Sequence, residues 1–100
     1  METKNEVGAG GVEIRITGKR QALNVWTLAV ATVEGRDYKI EMMRFDEPSR
    51  YGIGGDGRIS KLYITDDGGK MLADYDRGWY IHPATAAAKA IAAAVTAKYN

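Results

Sequence analysis

Alternation of apolar and polar residues predicts a strand near the start of the chain and a more deeply buried strand after it. In residues 12–16, VEIRI, the first, third and fifth positions are apolar and the others are charged, which is the pattern of a strand with one buried face. Residues 25–33, VWTLAVATV, are apolar on both faces and rich in β-branched side chains, so this run is expected inside the sheet. Residues 18–24 are predicted as a polar connection.

Three further strands are predicted downstream. Residues 34–37 have turn character and residues 38–45 return to strand character, which predicts a hairpin with the run 25–33. Pro48 is expected to end this strand, and residues 47–57 are expected to be irregular because they contain four glycines. Residues 59–65 are predicted as a strand. The turn sequence DDGG follows it and predicts a second hairpin between this strand and residues 71–75.

Residues 83–99 predict a C-terminal helix. Nine alanines fall within this range, and alanine is the strongest helix former. Ile91 and Val95 lie one turn apart on the same face, with small alanines beside them that would let the helix approach the sheet closely. Either Thr85 or His82 is expected to cap the first turn.

Together these elements predict an α+β fold: a single antiparallel sheet of about five strands in meander order, with one alanine-rich C-terminal helix packed on one face. Residues 1–11 are polar and glycine-rich and are expected to be flexible, while residues 12–100 are expected to form a single α+β domain. The predicted core contains Ile14, Ile16, Trp26, Leu28, Val30, Ile40, Leu62, Ile64, Ile91 and Val95. If the second face of the sheet is bare and apolar, a homodimer is expected.

The composition narrows the functional classes. The 100 residues are 45% hydrophobic and 27% charged, which is typical of a globular protein, and the formal net charge is +1. That balance provides no overall field for attracting nucleic acid or an anionic membrane. The absence of cysteine excludes disulfides, thiolate metal sites and thiol nucleophiles. Because the sequence shows no signal-peptide pattern and no apolar run of membrane length, we expect a cytoplasmic protein without membrane contact.

The glycines of YGIGGDGRISKLYI, residues 51–64, fit the pattern G-x-G-x-x-G. In a dinucleotide-binding fold that pattern follows a strand and opens a helix, whose amides hold the phosphates. Here it precedes a strand, and no Gly-Lys-Ser/Thr ends it, so neither a dinucleotide loop nor a Walker A loop is indicated. An anion nest formed by the loop amides with Arg58 and Lys61 stays open, beside the simpler interpretation that the glycines only shape a turn.

Candidates for catalysis or metal binding are few. His82 is the only histidine, and at the start of a helix it is more typical of capping or solvent exposure than of acid–base chemistry. Asp74 and Asp76 would share a strand face and suit a cation, but the neighbouring Arg77 favours a structural ion pair. We therefore expect no catalytic residues, no metal site, no cofactor and no enzymatic activity.

Aromatic and arginine side chains are concentrated in the second half of the chain. Tyr51 and Trp79, together with Arg50, Arg58 and Arg77, have the composition of a protein-binding hot spot. Such residues also stack single-stranded bases. A third interpretation is that most of the aromatic side chains simply pack the sheet.

Residues 47–83 carry two distinctive motifs, EPSRYGIGGDGRISKL and YDRGW followed by a proline, and the C-terminal helix ends in KYN. With these motifs the chain resembles a family of small uncharacterised proteins of Gram-positive bacteria, many of them carried by phages and prophages. The loop around residues 54–56 looks a residue or two longer in this chain. The resemblance implies a setting in mobile elements, where small proteins often act by binding and blocking host machinery.

The leading hypothesis is a non-enzymatic protein-binding module from a phage or mobile element that inhibits host or anti-phage defence machinery, for example as an anti-CRISPR. Its partner is an unidentified host or phage protein. The predicted binding residues are Glu47, Ser49, Arg50, Tyr51, Arg58 and Lys61, and the residues predicted to support the loop from beneath are Asp76, Arg77 and Trp79. The alternative hypothesis is an accessory protein that binds nucleic acid, a nucleotide or phosphate through the glycine-rich loop, Arg58 and Lys61.

Overall fold

A computed structural model describes residues 11–21 and 24–100. It contains one open antiparallel sheet whose six strands are neighbours in sequence order, followed by a single helix. The elements are β1 (Glu13–Gln21), β2 (Val25–Val33), β3 (Arg36–Ser49), β4 (Gly57–Thr65), β5 (Met71–Asp76), β6 (Trp79–Ile81) and α1 (Ala86–Tyr99). The predicted α+β meander with one C-terminal helix is confirmed, with six strands where about five were expected. The flexibility predicted for residues 1–11 concerns positions that, except for Gly11, lie outside the described residues.

The helix begins three residues later than its composition predicted. Thr85 has an extended backbone and its Oγ1 accepts a hydrogen bond of 3.0 Å from the amide of Ala88, which satisfies one of the free amides of the first turn. Of the two predicted caps, Thr85 is therefore the one used. The ring of His82 instead stacks on Trp79, with 5.6 Å between the ring centroids.

The register of the strands decides which side chains face the helix. Ala29 of β2 lies opposite Ile40 of β3, and Ile40 lies opposite Ile64 of β4. These side chains are at most 1% exposed and share one hydrophobic cluster with Ile91 of α1. The core therefore lies between α1 and this face of the sheet, and it includes five of the residues predicted for it, Ile40, Leu62, Ile64, Ile91 and Val95.

The opposite side of the sheet, which we call the open face, carries the other row of β2. No described helix or second sheet packs on it. Leu28 and Val30, predicted for the core, lie on this face and are half-buried, and Trp26 of the same row is buried outside the main cluster. Because β2 is apolar in both rows, its pattern could not decide between them. The row with the small residues Ala29 and Ala31 faces the alanine-rich helix.

The first strand extends further than the pattern predicted. It continues to Gln21, through residues expected to form a polar connection, and a bulge separates Ile16 from Gly18 in its pairing with β2. Ile16, predicted for the core, is 48% exposed. β1 is an edge strand, and a side chain at the edge beside a bulge is poorly covered by a single helix that packs further in.

β3 departs from β4 before it ends. Arg44 lies opposite Ile59, and the next pair is Ser49 with Gly57, so residues 45–48 of β3 bulge outward opposite the single residue Arg58. Pro48 falls within this bulge and does not end the strand as predicted. A bulge leaves residues without a ladder partner, which explains how a proline is accommodated there.

Candidate functional site

The loop between β3 and β4 contains or adjoins most of the binding residues predicted from the sequence. Its turn is closed by short bonds: the amide of Tyr51 donates to Ser49 Oγ at 3.1 Å, and the amide of Gly52 donates to the Ser49 carbonyl at 2.9 Å. A single 3-10 turn, Ile53–Gly55, follows. Ile53 is only 8% exposed and belongs to the hydrophobic core, so the loop is anchored by an apolar side chain as well as by hydrogen bonds.

The last residue of the chain fills the inside of this loop. Asn100 Nδ2 donates to the carbonyl of Ile53 at 3.0 Å, and Asn100 Oδ1 accepts from the amide of Ile59 at 3.0 Å. The carbonyl of Asn100 also accepts from the amide of Arg58 at 3.1 Å. The amides of Arg58 and Ile59 therefore already have hydrogen-bond partners within the protein. They are not free to donate to an anion bound at this loop.

Two glycines make room for this arrangement. A Cβ at Gly57 would overlap the side chain of Asn100, and a Cβ at Gly52 would overlap the carbonyl of Gly57. The glycines that form the G-x-G-x-x-G pattern are thus required in part by close approach of the chain to itself. This observation favours a structural reason for the pattern.

Replacing Asn100 by alanine is expected to lower the free energy of unfolding by about 1–3 kcal/mol, since the carbonyl of Ile53 and the amide of Ile59 would lose their partner. Urea denaturation measures the change. Lys89→Ala on the exposed side of the same helix is the matched control and should change stability by less than about 0.5 kcal/mol. Equal midpoints for the two variants would show that the Asn100 contacts contribute little.

Tyr75 of β5 supports the loop from the side of the hydrophobic core. The hydroxyl of Tyr75 donates to the carbonyl of Tyr51 at 2.9 Å, and the rings of Tyr75 and Trp79 form a T-shaped contact with centroids 5.0 Å apart. Burial raises the pKa of Tyr75 above the usual tyrosine value, in keeping with a phenol held in the interior. Trp79 thus supports the loop indirectly, through Tyr75.

On its outer side the loop presents Arg50 and Tyr51, which we call the displayed pair. The Arg50 guanidinium lies 5.0 Å from the ring centroid of Tyr51, and its Nη2 donates to the Tyr51 hydroxyl at 2.8 Å. Both residues are exposed, Tyr51 by 46%. The guanidinium has no carboxylate within 4.0 Å among the described residues, so its remaining donors face solvent.

The other predicted binding residues do not all join this pair. Ser49 belongs to the turn itself, Glu47 is exposed in the β3 bulge, and Arg58 is half-buried with its Nε donating to the carbonyl of Phe45 at 3.2 Å. Lys61 lies on the open face, 3.7 Å from Asp76 Oδ2 and with its Nζ 6.0 Å from the ring centroid of Trp26. These contacts of Lys61 are thus with residues of the open face and not with the displayed pair.

Of the predicted supports Asp76 and Arg77, Asp76 is the last residue of β5 and Arg77 lies in the turn that follows it. Besides its contact with Lys61, Asp76 has its Oδ1 3.7 Å from the Nε of Arg77. The amide of Arg77 donates to the carbonyl of Ser60 at 3.0 Å, and its backbone has a φ of 57°, which is uncommon outside glycine. The two residues fix this turn to β4, and no bond joins either of them to the displayed pair among the described residues.

A second cluster that sequence reasoning did not single out lies on the open face. The ring of Trp26 contacts that of Tyr63 at 5.3 Å between centroids, and the Arg20 guanidinium lies 5.3 Å from the Trp26 ring. Arg20 also pairs with Glu41 at 2.8 Å. Burial, followed by the negative charges of Asp74, Asp76 and Glu41, raises the pKa of Tyr63 above its usual value. The signal in the sequence was the second apolar row of β2.

Within residues 11–21 and 24–100, no three His, Asp or Glu side chains are grouped so that they could hold a metal ion. No helix among these residues is long and apolar enough to cross a membrane.

A family model described as a domain of unknown function, DUF7678, matches residues 25–100. The chain belongs to this family. The DUF7678 match covers β2 through α1 with the β3–β4 loop, and β1 lies outside it. Membership confirms the expectation of an uncharacterised family. Neither the curated proteins nor the solved structures contain a match to the chain.

Proposed function

We propose that the protein is a small non-enzymatic module that binds another protein through the displayed pair, Arg50 and Tyr51. The observation that carries this proposal is that two exposed side chains are held in a fixed arrangement. Both are of residue types that contribute most of the binding energy at protein interfaces. They already contact each other at 2.8 Å and stand on a loop fixed by Ser49, Tyr75 and Asn100.

Pre-ordering matters because immobilising a flexible side chain on binding costs about 0.5–1.5 kcal/mol. The guanidinium of Arg50 already lies 5.0 Å from the Tyr51 ring centroid and hydrogen-bonds its hydroxyl, so less of its freedom remains to be lost when a partner binds. Its unused donors suit a carboxylate, and the exposed face of Tyr51 suits an apolar surface beside it. The partner surface is accordingly an acidic side chain next to an apolar patch.

The biological setting follows from the sequence resemblance alone. We propose that the module comes from a phage or mobile element and inhibits host or anti-phage defence machinery, with anti-CRISPR activity as one form. The motifs EPSRYGIGGDGRISKL and YDRGW support this setting. The first of them forms the end of β3, the loop and the first six of the nine residues of β4.

An affinity capture from the lysate of a Gram-positive bacterium tests the proposal. Immobilised wild type is compared with the loop variant Arg50→Ala/Tyr51→Ala. The matched control is Arg36→Ala/Tyr80→Ala, which removes an exposed arginine and an exposed tyrosine that lie outside the β3–β4 loop. We expect a protein captured by wild type and control and lost at least tenfold from the loop variant.

Purified partner should then bind the loop variant at least a hundredfold more weakly by calorimetry, while the control binds as wild type does. Equal capture by all three proteins would contradict the proposal. So would steeply salt-dependent binding of DNA or RNA that disappears in the loop variant, because it would assign the pair to phosphate recognition.

A further inference from the structure

The first strand leaves one edge of the sheet open. β1 pairs with β2 alone, and no described strand lies on its other side. In an antiparallel ladder, alternate residues of an edge strand direct their amides and carbonyls away from the sheet, where they can pair with another strand. The opposite edge is less suited to such pairing, because β6 has only three residues and Pro83 follows it closely.

Only the first half of β1 is shaped for further pairing. A bulge separates Ile16 from Gly18, and two cations, Lys19 and Arg20, follow it. Bulges and runs of positive charge are features that protect an edge strand from another strand. Residues 13–16 have no bulge, and their two charges are opposite in sign. At the end of this regular stretch the apolar side chain of Ile16 is 48% exposed.

The sequence VEIRI that ends at Ile16 is complementary to itself when a second copy runs in the opposite direction. With Ile14 opposite Ile14 of the second copy, Val12 lies opposite Ile16 and Glu13 lies opposite Arg15. Ile14 and Ile16 pair with buried alanines of β2, so the apolar side chains share the face toward α1 and the charged ones share the open face. Cross-strand pairs of apolar residues and of opposite charges stabilise strand pairing.

The two charges of this stretch are not used in ion pairs. Glu13 has no cation within 4.0 Å among the described residues, and Arg15 has no carboxylate. One guanidinium nitrogen of Arg15, Nη1, lies 3.4 Å from Thr32 Oγ1, which in turn donates to Asp37 Oδ1 at 2.7 Å. The other guanidinium donors remain available to a carboxylate on a neighbouring strand.

We propose that β1 pairs antiparallel with β1 of a second copy of this chain, about a two-fold axis that passes perpendicular to the sheet between the two Ile14 residues. The sheets of the two copies then join into one continuous sheet, with both helices on the same side. A Glu13–Arg15 pair forms on each side of the axis, and Val12 of one copy covers Ile16 of the other. Self-complementary contacts of this kind are the commonest in homodimers.

The other charges of the open face do not oppose this arrangement. Asp37 and Lys39 lie on β3, two strands away from β1. With strands about 4.8 Å apart, each of them is roughly 24 Å from its own copy, well beyond the Debye length of about 8 Å at physiological ionic strength. The antiparallel order also places the cations Lys19 and Arg20 of the two copies at opposite ends of the contact.

Sedimentation equilibrium of the full chain tests this inference. A contact of a few residue pairs is small for a specific interface, so wild type should form a weak, reversible dimer with a dissociation constant of about 10–500 µM. Lys89→Glu, on the exposed side of α1, should leave the dimer unchanged. Arg50→Ala/Tyr51→Ala should do the same, because the displayed pair follows the last residue of β3 and takes no part in this contact.

Charge reversal tests the register. Arg15→Glu and Glu13→Arg should each weaken the dimer about tenfold, because each substitution sets two pairs of like charges opposite one another. The double variant Glu13→Arg/Arg15→Glu should recover most of the wild-type affinity. An equimolar mixture of the two single variants should form a heterodimer, since every acidic side chain of one then lies opposite a cation of the other.

A cross-link provides a second measurement, because the chain contains no cysteine. The two copies of Ile14 would have Cα atoms about 4.5–5.5 Å apart, a distance that a disulfide spans, whereas those of the exposed residue Thr17 would be roughly 20 Å apart. Under mild oxidation Ile14→Cys should therefore form a covalent dimer about tenfold faster than the matched control Thr17→Cys.

Far-UV circular dichroism and urea midpoints establish that each variant is folded. A wild type that stays monomeric at about 1 mM would overturn the proposal. So would single charge reversals that leave the dimer intact, a mixture of the two without heterodimer, or equal rates of cross-linking for the two cysteine variants.

Discussion

Gly52→Ala is expected to lower the free energy of unfolding by about 3 kcal/mol or more. Its Cβ would overlap the carbonyl of Gly57, and Gly57 is paired with Ser49 at the end of the β3–β4 ladder. The position of a Cβ is fixed by its own backbone and the carbonyl is backbone too, so no side-chain rotation can relieve the clash. The two strands would have to separate there, with loss of the turn beneath the displayed pair. Urea denaturation with global fitting measures the change.

Gly78→Ala is the matched control for this substitution. Gly78 also lies in a connection between strands, but its φ is not positive and a Cβ there would meet nothing within 4 Å. We expect a change of less than about 1 kcal/mol. If Gly52→Ala unfolds at the same urea concentration as Gly78→Ala, the close approach of residues 52 and 57 is not a structural requirement.

Ile91→Asp should be at least as disruptive. Ile91 is fully buried between α1 and the sheet. A carboxylate at this position would lose its hydration, and the described core residues include no cation that could pair with it. The expected loss is about 3–5 kcal/mol, a large share of the stability of a small protein. Thermal unfolding followed by circular dichroism should show a much lower Tm, or no cooperative transition at all.

Lys89→Asp controls for the helix propensity of aspartate, because it places the same side chain on the exposed side of the same helix. This variant should lose about 1 kcal/mol or less. A Tm for Ile91→Asp that matches the wild type would contradict the packing of α1 on the sheet.

The order and type of the elements could be predicted because they depend on local patterns. The turn DDGG is one example: Asp66 Oδ1 accepts from the amides of Gly68 and Lys70 at 3.0 and 2.8 Å, so the bonds that stabilise the turn lie within five residues. The strand β6 was missed because it has only three residues, too few for an alternation to be read.

The orientation of the sheet was harder to predict. In β2 both rows are apolar, and the choice between them depends on which row fits the helix. Large side chains were expected in the core, whereas Ala29 and Ala31 occupy it and Leu28 faces outward. The fit of one surface to another is a property of two segments far apart in sequence, and periodicity within either segment does not contain it.

The candidate site could also be predicted only in part. Arg50 and Tyr51 were selected by residue type, and the structure places both on the surface in contact with each other. The role of Asn100 was missed, because its bonds join residues 41 and 47 positions apart. The available signal was weak: the glycines at positions 52 and 57, and an asparagine where the helix ends.

The insertion of Asn100 into the loop also has a kinetic consequence. The hairpins of the meander join neighbouring segments and can form early, whereas the loop reaches its final geometry only after the helix has docked and brought Asn100 across more than 40 residues. Loop closure is then a late step of folding, and fraying at the helix end releases the loop first. Amide hydrogens of Arg58 and Ile59 should accordingly exchange together with those of the last helical turn, as one opening unit that includes the support of the binding surface.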